Sequence, residues 1–100
     1  MKIIKRFTVN APADRVWQII GPDYAKAGEW ASSVYRSAAK PGEPTLESAP
    51  CTGRVCMTSL GPFSENLVDY QPKRRYLAYT ATGDKMPGFM RSLRNSWDVR

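Results

Sequence analysis

The stretch Phe7-Thr8-Val9-Asn10-Ala11-Pro12-Ala13-Asp14-Arg15-Val16-Trp17-Gln18-Ile19-Ile20 moves from a strand pattern to a helix pattern within fourteen residues. β-Branched and aromatic residues run up to Val9, and Asn10-Ala11-Pro12 ends the run. Proline lacks the N–H that a strand ladder uses, while its fixed φ suits the first turn of a helix. At about 100° per residue, Ala13, Val16, Trp17 and Ile20 then fall on one side, with Asp14, Arg15 and Gln18 turned away. A helix this short is stable only against an apolar surface. The reading is a first strand over 2–9, with Ile3, Phe7 and Val9 on one face, followed by a helix from Ala13 to Ile20.

Working outward, Gly21-Pro22 stops this helix and residues 24–30 form a second short one. Five further strands follow. The first, 32–39, has only Val34 and Tyr35 as large apolar residues, which places it near a sheet edge. The others are 53–60, 63–70, 75–82 and 93–99. Between them lie a long loop from Lys40 to Thr52 with three prolines, turns at Gly61-Pro62 and Gln71-Pro72-Lys73-Arg74, and a loop from Gly83 to Gly88. One strand, two helices and then antiparallel strands in series give a single α+β domain over 1–100. The final strand alternates most cleanly, with Leu93, Asn95, Trp97 and Val99 on one side and Arg94, Ser96, Asp98 and Arg100 on the other.

Composition narrows the function classes. Apolar residues are 42% and charged residues 24% of the chain, which is ordinary for a globular protein. Neither a bilayer-spanning apolar run nor a signal-peptide core is visible, so the expected location is the cytoplasm. Histidine is absent, which removes the commonest general base and metal ligand. Cys51 and Cys56 lack the companions of a zinc site and read as free thiols, so neither metal nor cofactor is expected. The net charge of +6 is divided among Lys2-Lys5-Arg6, Lys73-Arg74-Arg75 and Arg91-Arg94-Arg100. No basic-aromatic platform accompanies these clusters, so they read as solvated surface and no nucleic-acid partner is expected.

The strand, Ala11-Pro12 and Val16-Trp17 succession resembles the opening of the START/Bet v 1-like superfamily of polyketide cyclase/dehydrase and lipid transport proteins. The resemblance continues in order through Trp30, Gly53-Arg54-Val55, Glu65-x-Leu67, Asp69-Tyr70, Arg75-x-Leu77-x-Tyr79, Pro87 and Trp97-x-Val99. It implies a helix-grip fold, in which a curved antiparallel sheet with two short helices after its first strand wraps a long C-terminal helix around an apolar cavity. By that plan a further strand and the long helix are missing after Arg100, and the inner face of Leu93, Asn95, Trp97 and Val99 stands uncovered. Truncation is the preferred explanation. A homodimer whose sheets cover each other, or a partner that supplies the cover, would serve as well.

If the resemblance holds, function lies in the cavity. Glu65, Leu67, Leu77, Tyr79, Leu93, Asn95 and Trp97 share the inward strand faces and are the candidate ligand contacts, with Met86 and Phe89 on a loop at the mouth beside the Leu60-Gly61-Pro62-Phe63 turn. Asn95 between Leu93 and Trp97 would place an amide on an apolar face, where a missing partner costs about 1–3 kcal/mol. Glu65 and Arg75 share faces that let them meet across the fourth and fifth strands, and the readings are a Glu–Arg or Glu–Asn pair that closes one end of the barrel, or ligand contacts. Trp17 and Trp30 read as core. The expected function is binding or transport of a small apolar ligand such as a lipid, sterol or polyketide. The alternative is a cyclase/dehydrase-type enzyme with Glu65 as base and Tyr79 or Asn95 as donors to a developing enolate.

Overall fold

The computed structural model describes residues 4–83 and 93–100. Helix α1 spans Ala13–Ile20 and starts directly after Pro12. Of its apolar face, Trp17 is buried and Val16 and Ile20 are half-buried. Gly21 ends the helix, donating its N–H to the Trp17 carbonyl at 2.7 Å. A Cβ at position 21 would lie within 2.5–2.8 Å of the Trp17 indole, so only glycine lets the chain turn under that ring. A short 3-10 helix, η1, follows over Tyr24–Glu29 with a non-helical Lys26 inside it.

The sheet has five strands in sequence order, β1 Val34–Ala39, β2 Gly53–Thr58, β3 Gly61–Gln71, β4 Tyr76–Gly83 and β5 Leu93–Asp98. All neighbours are antiparallel. The strand with few apolar residues, β1, does take an edge. It is tied to η1 by Ser37, whose hydroxyl accepts from the Gly28 N–H at 2.8 Å and donates to the Ala25 carbonyl at 2.7 Å. One side of the sheet carries the core, where Leu67, Tyr70 and Leu77 pack with Trp17, Tyr24 and Cys51. Trp17 and Tyr70 meet at 5.5 Å between ring centroids, so α1 seals that end of the sheet.

Four expectations are corrected. Residues 4–9 form no strand, and Ile4, Phe7 and Val9 are 66%, 72% and 58% exposed. A strand exists only through a ladder partner, and this segment pairs with neither sheet edge among the described residues. The β2–β3 turn falls at Ser59-Leu60, two residues before Gly61-Pro62. There Thr58 Oγ1 accepts from the Leu60 N–H at 3.1 Å and donates to the Gly61 carbonyl at 2.9 Å. Gly61, at φ 90°, then enters β3. Arg75 stands outside β4 in a left-handed conformation, φ 50°, that closes the 3-10 turn Pro72–Arg74. Finally, Trp30 is 48% exposed instead of sitting in the core.

Gly53 starts β2 where it crosses β3, and a Cβ there would collide with the Glu65 carbonyl oxygen. Glycine permits that close approach in the register fixed by the Ser59-Leu60 turn, which places Arg54 directly opposite Glu65.

Candidate functional site

The register fixes which side chains share the inner face. Arg54 and Cys56 on β2 oppose Glu65 and Phe63 on β3, while Tyr79 and Ala81 on β4 oppose Asn95 and Leu93 on β5. With Ala27, Trp30 and Ala31 from η1 and the turn after it, these residues enclose an open-sided cavity of about 290 Å³. Its walls at Trp30, Val34, Phe63, Leu93 and Trp97 are apolar. Of its polar groups, Arg54, Cys56, Glu65 and Tyr79 come from the three central strands, with Ser33, Thr58 and Asn95 around them.

Those groups form one connected cluster. Glu65 Oε1 accepts from Arg54 Nε at 2.8 Å and from the Tyr24 hydroxyl at 3.0 Å. Arg54 Nη1 donates to the Tyr24 carbonyl at 2.7 Å, and the guanidinium lies 4.0 Å from the Tyr24 ring centroid and 5.2 Å from that of Tyr79. The two rings meet edge to face at 5.7 Å. The Cys56 thiol is 3.9 Å from Glu65 Oε2. Arg54 and Glu65 are both buried, and the Tyr24 hydroxyl and carbonyl give the ion pair hydrogen bonds that offset part of the cost of taking it out of water.

Electrostatics in the cluster follow from burial. Loss of solvent pushes the Tyr24 hydroxyl well above its usual pKa; Arg54 opposes that rise and Glu65 adds to it. Tyr79 is raised by burial and then by Glu65, against Arg54. Cys56 is raised by burial and again by the Glu65 carboxylate. For Arg54, burial works against the charge but Glu65 outweighs it, so the guanidinium is held more firmly charged than in water. Near neutral pH both tyrosines and the thiol are therefore neutral donors, and the only full charges in the cluster are the Arg54–Glu65 pair.

Of the residues singled out from sequence, Glu65, Tyr79, Leu93, Asn95 and Trp97 line the cavity together. Leu67 and Leu77 do not: they lie in the core cluster with Trp17, because α1 covers their end of the sheet. Met86 and Phe89 lie outside the described residues. Asn95 is exposed, so water reaches its amide and no buried partner is required. Glu65 and Arg75 are not a pair. Glu65 is bound to Arg54, and Arg75 Nη2 instead reaches Asp14 on α1 at 2.8 Å. The residues that sequence reasoning missed are Arg54, Tyr24 and Cys56. Counting outward from a turn at Ser59-Leu60 puts Arg54 opposite Glu65, so the position of the turn was the signal.

Among the described residues no group of three or more metal-ligating side chains gathers. No helix there is long and apolar enough to cross a membrane.

A curved antiparallel sheet with two short helical elements over one end, and an apolar cavity with a polar floor between them, is consistent with the helix-grip class of domain. The chain belongs to the polyketide cyclase / dehydrase and lipid transport family, whose model matches residues 2–100. No curated protein and no solved structure gives a significant match.

Proposed function

We propose that the domain binds a small, largely apolar ligand in the cavity between η1 and the sheet and holds it without converting it. One observation carries this reading: apolar walls from Trp30, Phe63, Leu93 and Trp97 surround a compact polar floor built on Arg54, Glu65 and Tyr79. Binding sites for small apolar molecules combine these two features, area for affinity and a few fixed polar groups for orientation. Family membership points the same way. Lipids, sterols and polyketide-like molecules are the ligand classes that fit.

Catalysis has less behind it. Glu65 and Tyr79 do share the cavity, which is the base-and-donor placement an enolate-forming reaction would use. Yet Glu65 already binds Arg54 and Tyr24, and burial keeps Tyr79 protonated, a donor of hydrogen bonds and not of protons.

The test is titration of the folded protein with a panel of lipids, sterols and flavonoid-like compounds, read by tryptophan fluorescence. Saturable changes with some members are expected, because two of the three tryptophans line the cavity. A flat response across the panel would remove the reading. For the catalytic alternative, turnover of a cyclisable polyketide that Glu65→Gln abolishes would overrule the noncatalytic one.

A further inference from the structure

The two oxygens of the Glu65 carboxylate are used unequally. Oε1 takes both strong donors, Arg54 Nε and the Tyr24 hydroxyl. Oε2 has, among the described residues, only the Cys56 thiol at 3.9 Å, a weak donor at the limit of reach. Glu65 is 8% exposed and lines the cavity, so what solvent or ligand access Oε2 has comes from that side. A carboxylate oxygen accepts more than one hydrogen bond, and this one has capacity left. The guanidinium has Nε and Nη1 engaged and lies against the rings of Tyr24 and Tyr79, and its Nη2 keeps donor capacity as Oε2 keeps acceptor capacity. The pair is neutral as a unit, and it offers the cavity an acceptor in Glu65 Oε2 beside a donor in Arg54 Nη2, the two functions that one hydroxyl can satisfy.

Resting on the reading of the cavity as an apolar-ligand site, we infer that the end of the ligand that reaches this floor is a neutral hydrogen-bond donor, an alcohol or phenol hydroxyl, which donates to Glu65 Oε2 and displaces the thiol contact. A ligand ending in a carboxylate is disfavoured, because it brings a second negative charge beside Glu65 while the Arg54 charge is already compensated by that carboxylate. A ligand with no polar end leaves Oε2 with its weak partner and gains nothing from the floor. Selectivity of this kind is large because the penalty falls on buried polar groups.

Three probes of one shape separate the possibilities by calorimetry at pH 7: 2-naphthol, 2-naphthoate and 2-methylnaphthalene. The expected order has 2-naphthol bound about tenfold more tightly than either of the others, as a hydrogen bond to a charged acceptor predicts. Glu65→Gln leaves the Arg54 charge uncompensated and is expected to invert the preference toward 2-naphthoate. Arg54→Met with Glu65→Leu removes both charges without leaving either alone, and is expected to bind 2-naphthol no better than 2-methylnaphthalene. If the wild-type protein binds all three equally, or 2-naphthoate best, the cavity reading stands and the hydroxyl inference falls. A preference for 2-naphthol that survives in the double variant overturns it too. Binding of none of the three overturns both.

Discussion

A guanidinium taken out of water needs its counter-charge at hydrogen-bonding distance, and Arg54 finds it one strand away in Glu65, with both side chains about one-tenth exposed. Removing one partner strands the other charge. Arg54→Ala is therefore expected to cost about 3–5 kcal/mol in urea unfolding, whereas the paired Arg54→Met/Glu65→Leu replacement should lie close to wild type. A single-variant loss below ~1 kcal/mol would show that the pair is solvated. Arg75–Asp14 is the contrast, with Asp14 87% exposed at its side chain; Arg75→Ala should cost less than about 1 kcal/mol by the same measurement. Sequence identified Glu65 as the important carboxylate and gave it an arginine, but the wrong one. Parity put Arg75 and Glu65 on one face, but it carries no information on distance along the ladder: Glu65 lies opposite Ala81, at the far end of the hairpin from the turn where Arg75 stands. Tyr24 was hidden for another reason, since a tyrosine in a short helix gives no hint that its hydroxyl reaches a strand 41 residues later.

At the scale of elements, α1 is held by one ring. Trp17 is the single buried residue of an eight-residue helix, too short to persist by itself, and it packs on Tyr70. Trp17→Ala is expected to lower stability by about 3–5 kcal/mol and to release α1 first. Amide hydrogen exchange should then show α1 losing protection before β3 and β4; simultaneous loss would mean that the helix and sheet are one cooperative unit. This element was readable because three signals agreed: Pro12 at the start, the Ala13-Val16-Trp17-Ile20 face and Gly21 at the end. The segment before it was not. Alternation over 2–9 reports compatibility with a strand, but a strand is a relation to a neighbour, and residues 4–9 have no ladder among the described residues. The β2–β3 hairpin lay between these cases. Its two strands were legible, and a turn displaced by two residues moved the register by four.

For the whole molecule, burial of thiols and phenols makes stability fall at high pH. Cys51, Cys56, Tyr24, Tyr70 and Tyr79 are all raised above ordinary values of 9.0 for cysteine and 10.0 for tyrosine, burial being the leading cause for each. In the unfolded chain these groups deprotonate first, so above about pH 9 the unfolded state binds fewer protons and stability declines as pH rises. Below those ordinary values the contribution is complete. Urea midpoints measured from pH 7 to 11 should hold steady and then drop, and Cys56→Ala with Tyr79→Phe should shallow the drop. A midpoint that does not move above pH 9 would place these groups in solvent.

The central claim is that the face shared by Trp30, Trp97 and the Arg54–Glu65 floor is where a ligand sits. Indole N–H resonances of the three tryptophans test it most directly, since Trp30 and Trp97 line the cavity while Trp17 is packed in the core under α1. On titration with 2-naphthol, the Trp30 and Trp97 signals are expected to shift saturably while Trp17 stays in place. No saturable shift at Trp30 or Trp97, or a shift confined to Trp17, would contradict the account.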